Sequence, residues 1–226
     1  MGFTLDLGRF PVVLGGDCSI LLGTTLALRR RGRFGLFFLD GHADFYSPES
    51  EPNGEVASME LAIVTGREPA ALADLDGLCP LVREEDVVVF AFRDAESAVE
   101  YGGPDVRQTA MHVFDLPQVR RLGATSAALA ALAAFETRGL EGFWIHVDAD
   151  VLNDDVMPAV DYRMPDGLSA EELTEVLSVV LASPLASGLE VTIYNPTFDD
   201  AERSAARVLA RAITAAFATV KGEEPG

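Results

Sequence analysis

The sequence predicts an α/β fold: a three-layer α/β/α sandwich around a mostly parallel sheet of about six strands. Three observations carry this. Short apolar runs alternate with helical patterns from one end of the chain to the other. Most of the runs are continuously apolar, as in strands covered on both faces. The acidic motifs fall directly after such runs, and open parallel sheets bind ligands at the carboxyl ends of their strands.

The strand candidates are Pro11–Leu14, Gly35–Leu39, Val87–Phe92, Met111–Phe114, Phe143–Val147 and Leu189–Ile193. The spacing predicts helices over Ile20–Arg31, Ala57–Thr65, Ser126–Thr137, Ala170–Ala182 and Asp200–Val220. Ser169 followed by Glu172 reads as a capping box before the fourth helix. The last helix opens on acidic residues and runs on through alanine and arginine, as a docking helix does. No internal repeat or linker divides the chain, so residues 1–226 read as one domain, with Gly222–Gly226 a frayed tail.

Composition narrows the function. The 226 residues are 49% hydrophobic, enough for one substantial core. A net charge of -19, from 36 acidic against 17 basic residues, argues against nucleic acid as a partner. The longest small-apolar stretch, Ala127 to Phe135, is far too short to span a bilayer, so no membrane segment is expected. Cys18 and Cys79 are isolated and form no disulfide framework, which points to a reducing cytoplasm.

Three motifs follow strands. Gly15-Gly16-Asp17-Cys18-Ser19 comes after the first, and Asp40-Gly41-His42-Ala43-Asp44 after the second. His146-Val147-Asp148-Ala149-Asp150 ends the fifth. In extended chain alternate residues share a side, so Asp40, His42 and Asp44 converge, as do His146, Asp148 and Asp150. Carboxylates crowded at strand tips repel one another unless cations sit between them. Carboxylates with an imidazole suit manganese, or less selectively other divalent first-row metals.

In these motifs, in this order, the sequence resembles the ureohydrolase family of arginases, agmatinases and formimidoylglutamases. Pro158, Gly167-Leu168-Ser169 and Asn195-Pro196 extend the resemblance, which runs from Leu14 to about Pro196. It implies a dimanganese hydrolase that cleaves a C–N bond of a small guanidino compound. One ion would be held by Cys18, Asp40, Asp44 and Asp148, and the other by Asp40, His42, Asp148 and Asp150. Asp44 would also orient the attacking hydroxide. Arg93-Asp94-Ala95-Glu96 resembles the arginase segment that binds the substrate ammonium, which places Glu96 there and favours arginine or N-hydroxy-arginine. Tyr46 and Asn53 fall where arginases bind the substrate carboxylate.

The sequence also departs from the family. Cys18 stands at a metal-binding histidine position, and the helix start predicted there would favour its thiolate. That swap adds a negative charge and shifts affinity towards softer metals such as zinc. The same Gly-Gly-Asp-Cys-Ser version resembles a branch acting on N-hydroxy-arginine. Ala57-Ser58-Met59-Glu60 replaces the stretch with the proton-shuttle histidine, and Ile193 replaces the guanidinium-binding glutamate. Glu55 or Asp161 are candidates for the missing acid, and His146 for a proton relay or for a bond to a metal ligand. His112 reads as structural. Two N-terminal strands of the family have no counterpart, leaving Pro11–Leu14 an exposed edge. A fragment, a mis-assigned start or a partner in a homo-oligomer would each account for that. Another ureohydrolase activity, a deacetylase and a weak metal-binding subunit stand as rival readings.

Overall fold

Residues 34–39 show how the layers arise. In the computed structural model, which describes residues 5, 7–67, 69–136 and 138–221, they form strand β2 (Phe34–Leu39) at the middle of the sheet. Alternate side chains leave a strand on opposite faces. Phe37 and Leu39 therefore enter one apolar cluster, while Leu36 and Phe38 enter the other. A strand covered on both faces has to be apolar throughout, which is why this run does not alternate.

The other strands are β1 (Val12–Leu14), β3 (Val87–Phe90), β4 (His112–Phe114), β5 (Gly142–Asp148) and β6 (Ala186–Thr192). The sheet order is β1-β6-β5-β2-β3-β4, and every pairing is parallel. From β2 the chain builds outward through β3 and β4, then returns to β2's other side with β5 and β6. The tips of β2 and β5 thus flank the point where the direction of winding reverses, where sheets of this kind open a ligand crevice.

Helices α1 (Ile20–Arg29), α2 (Glu60–Val64) and α3 (Ala70–Ala73) cover one face, and α4 (Ala95–Glu100) follows the tip of β3. Helices α5 (Leu116–Leu122), α6 (Ala124–Leu132), α7 (Ala170–Leu181) and α8 (Ser204–Lys221) cover the other. α7 buries Leu173, Val176, Leu177, Val180 and Leu181, and α8 buries Ala205, Leu209, Ala212 and Ala216. Both sets follow the helical period of a one-sided stripe. The capping box of α7 is present: Glu172 N donates to Ser169 Oγ at 3.1 Å and Ser169 N to Glu172 Oε2 at 2.8 Å. His112 takes a structural place, 3.0 Å from the Arg138 guanidinium.

Several expected elements differ. The helix expected over Ala57–Thr65 is a 3-10 turn at Val56–Ser58 and then α2, broken by Met59 at φ -126. The helix expected over Ser126–Thr137 is α6, ending at Leu132, and α5 before it was not foreseen. Gly123, at φ 83, breaks what would otherwise be one helix there. Helices α3 and α4 are too short to show a period. The strand expected from Leu189 starts at Ala186. The expected frayed tail, Gly222–Gly226, lies outside the described residues. Strand β1 is an edge paired only with β6 among the described residues, and Leu14 there is 77% exposed. Among the described residues, no helix is long and apolar enough to cross a membrane.

Gly188 in β6 lets the Trp144 ring lie flat on the backbone, since a Cβ there would overlap that ring and Pro11. Gly188→Ala is expected to cost about 1–3 kcal/mol by overpacking. A urea denaturation midpoint reads this directly, and an unchanged midpoint would show that the ring can withdraw.

Candidate metal centre

The chain turns sharply once it leaves β2. Asp40 opens the turn and folds back on it, its Oδ1 accepting from His42 N at 2.7 Å. Gly41 N donates to Asp150 Oδ1 at 3.1 Å, and Ala43 N to Asp94 Oδ1 at 3.0 Å. A Cβ at Gly41 would run into the Arg93 guanidinium and the Asp150 carboxylate, so glycine is required by close approach. Asp44 takes φ 43, a left-handed value that Asp tolerates. After β5, Asp150 N donates to Asp148 Oδ1 at 2.6 Å. Two tight turns therefore bring in Asp40, His42, Asp44 and Asp150, whereas His146 and Asp148 alternate within β5 as the sequence suggested.

Two groups of ligand-type atoms result, with Asp40 in both. In the inner group, atoms of Cys18, Asp40, Glu60 and His146 lie within 4.8 Å of one another, all buried. In the outer group the same holds for Asp40, His42 and Asp150, where His42 Nδ1 is 2.9 Å from Asp150 Oδ2. Asp148 adjoins the inner group: Cys18 Sγ donates to its Oδ2 at 2.8 Å and lies 3.1 Å from Thr192 Oγ1. Asp44 is buried beside Glu60.

A cavity of about 620 Å³ opens over the outer group. His42, Asp44, Asp148 and Asp150 form its floor, and Tyr46, Asn53, Glu55 and Asp161 stand in its walls. Glu55 accepts a hydrogen bond from Tyr162 at 2.8 Å. Ile193 also lines the cavity, at φ 67, an unusual conformation for a β-branched residue. Glu96 is exposed on α4 and outside this lining; Asp94 and Ser97 form the wall at that turn. His146 is fully buried beneath the floor, stacked on Phe38 at 4.7 Å, and does not reach the cavity.

Glu60 and Glu190 were missed as members of this cluster. Glu190 receives His146 Nδ1 at 2.8 Å and Thr24 Oγ1 at 2.9 Å. Both are single acids inside apolar runs, Met59 to Val64 and Leu189 to Val191, and that break in pattern was the available signal.

Without cations the electrostatics are unfavourable. Burial pushes Cys18, Asp44, Asp148 and Glu60 well above their ordinary ranges, and neighbouring acids add to this, Asp40 among them. Cys18 is then a thiol, and the thiolate expected from a helix start requires a cation. The start of α1 offers it no rescue against that burial. Burial acts to lower His42, but Asp150 beside it, with Asp40, pushes it up to about 10. Burial likewise opposes the charge on His146, which Asp40 and Glu190 push up to about 10. Asp150 resists its own burial through His42 and ends below the usual range.

A parallel sheet whose central tips gather thiol, imidazole and carboxylate defines an α/β protein with a candidate two-part metal centre. A model of the arginase family matches residues 2–218, and the chain belongs to that family. It is 27% identical over 203 residues to the arginase of Staphylococcus aureus strain COL, covering 89% of this chain and 66% of that one. The chain thus spans just under two thirds of that relative. The crystal structure of arginase from Bacillus cereus matches with TM-score 0.83 and 26% identity, covering 100% of this chain and 75% of that one. Arginase from Bacillus subtilis strain 168 matches with TM-score 0.85 at 24% identity, covering 99% and 74%, a likeness of fold.

The pKa directions fix a pH dependence for the metal-free protein. Histidines with raised pKa stabilise the fold below their unfolded pKa, and this is lost as pH rises towards about 10. The raised carboxylates hold protons that the unfolded chain has released, so they act in the same direction. Asp150 has the opposite sign, but it acts only as pH falls below the usual carboxylate range. The melting temperature in chelator is expected to fall steadily from about pH 6 to about pH 9. A rise across that window would contradict these protonation states.

Proposed function

We propose that this chain is a metal-dependent hydrolase that cleaves a C–N bond of a guanidino compound, arginine or N-hydroxy-arginine, releasing urea or hydroxyurea. The observation that carries this is the cavity's charge: Asp17, Glu51, Glu55, Asp94 and Asp161 line it with the acids of the floor, and no Lys or Arg does among the described residues. Such a lining concentrates cations and repels anions. A guanidinium is a cation that carboxylates bind through paired N–H donors.

Two divalent ions, manganese by the donor chemistry, fit the residues present. Asp40 Oδ2, His146 Nε2 and both Glu60 oxygens are buried with no hydrogen-bond partner. Buried polar atoms of this kind are rare unless something charged satisfies them. Cys18, Asp40, His42, Asp44, Asp148 and Asp150 are the residues proposed to hold the ions. When bound, such ions polarise the substrate and bring the pKa of water near neutrality.

The chain's own residues do the rest. Asp44 lies in the cavity floor beside Glu60, so its carboxylate can take a proton from water and return it to the leaving amine. His42, charged against Asp150 in the absence of ions, must give up its Nδ1 proton to serve as a ligand. Glu55 and Asp161 meet the guanidinium in place of the glutamate that Ile193 replaces. Tyr46 and Asn53 face the far end of the substrate. Asp94, on the wall, is better placed than Glu96 for its ammonium group.

Cys18 favours the N-hydroxy substrate. A thiolate in place of imidazole adds negative charge and makes activated water less acidic, and an N-hydroxyguanidine, being less basic, demands less of the nucleophile. A second reading, agmatine, is favoured by the lack, among the described residues, of a lining Lys or Arg to pair with an amino acid's carboxylate.

The test is a substrate panel with added manganese, reading urea, hydroxyurea and formamide. The expected outcome is hydroxyurea from N-hydroxy-arginine at the highest kcat/KM. Asp150→Asn is expected to lower that value at least about 10–100-fold. Faster turnover of arginine would remove the N-hydroxy preference, and no product from any guanidine would overturn the proposal.

A further inference from the structure

Four buried atoms in the inner group have no partner, and three of them belong to two residues, Glu60 and His146, outside the ligand set that the family resemblance implies. Glu60 opens α2 fully buried, and neither of its oxygens receives a hydrogen bond. Its neighbour Asp44 is another acid, and a buried carboxylate that faces acids and no donor is expensive unless a proton or a cation lies between them. His146 is equally buried, and its environment fixes how it is used. Its Nδ1 lies 2.8 Å from Glu190 Oε1, which cannot donate as a carboxylate, so Nδ1 carries the proton. Thr24 holds the other Glu190 oxygen at 2.9 Å. To bind an ion the ring gives up its second proton, and Nε2 then presents a lone pair 3.8 Å from Asp40 Oδ2, where it has no other partner. A carboxylate fixing one ring nitrogen while the other is left free is the usual arrangement around a metal-bound histidine.

We propose that the inner ion is held by Cys18, Asp40, Glu60 and His146, so that an imidazole from β5 and a carboxylate from α2 make up for the histidine missing at position 18. Thiolate, imidazole and two carboxylates suit zinc, cobalt or iron better than an all-carboxylate set does. His146 is on this account a ligand with its tautomer set by Glu190, and not a proton relay to solvent. Glu60 carries the charge that the lost shuttle stretch would not have supplied. The inference rests on the reading of these strand tips as a metal centre, and revises the inner ion's ligands, with Glu60 and His146 in the places that the resemblance gives Asp44 and Asp148.

Cobalt(II) titration of the metal-stripped full chain tests it, with isothermal calorimetry for stoichiometry and near-ultraviolet absorption for the thiolate-to-cobalt charge-transfer band. The parent is expected to bind two ions and to show the band. Glu60→Gln and His146→Gln are expected to bind the inner ion at least about tenfold more weakly, with the band reduced or lost. His42→Asn is expected to weaken the outer ion and keep the band. The metal-free melting temperature separates ligation from misfolding: Glu60→Gln removes an uncompensated buried acid, so it is expected to melt no lower than the parent. Two ions bound by Glu60→Gln with unchanged affinity and band would overturn the ligand assignment while leaving the metal centre standing. A parent that binds no cobalt would overturn the metal centre itself.

Discussion

Everything at the strand tips depends on one constraint: buried negative charge has to be matched. Asp40, Asp44, Glu60, Asp148 and Asp150 are all buried at the carboxyl ends of β2 and β5 or beside them. Transferring each ionised acid out of water costs several kcal/mol even after relaxation. Among the described residues His42, His146 and the Arg93 guanidinium stand close enough to offset this by charge, and each imidazole is already committed to an acid of its own. The Arg93 guanidinium spends its hydrogen bonds on the carbonyls of Asp150, Leu152, Met164 and Pro165. Protons can neutralise the surplus and divalent cations can match it, so the two compete for the same site.

The fold makes that concentration of charge possible. Two apolar clusters, one on each face of a six-stranded parallel sheet, hold β2 and β5 side by side, with Leu39 opposite Val147. The tips cannot spread without breaking this packing. Around them the turns are tied by the acids' own hydrogen bonds, and the close approach at Gly41 leaves no room for a side chain. Ile193 holds a left-handed backbone at the cavity wall, its N donating to Gly16 O at 2.9 Å. That bond ties the turn after β6 to the turn that carries Cys18.

Much of the fold was legible because its signals are local. Continuous apolar runs gave the six strands, and spacing gave α1, α7 and α8. Asp40, His42, Asp148 and Asp150 were legible because each stands within three residues of a strand end. What was not legible depended on tertiary placement. No spacing links Glu60 to Cys18, 42 positions earlier, and α2 brings them together only after the chain turns at Met59. His146 read as a proton relay or as a partner of a metal ligand, and the pleat directs it below the floor, against Phe38 and Glu190. Glu96 and Asp94 differ by two residues in sequence, and only the turn into α4 decides which one faces the cavity.

Crystals grown with manganese and measured at its absorption edge address the central claim most directly. An anomalous peak among Cys18, Asp40, Glu60 and His146 and a second among Asp40, His42 and Asp150 is the result this account predicts. Manganese absent from the tips of β2 and β5, with those acids merely protonated, would contradict it.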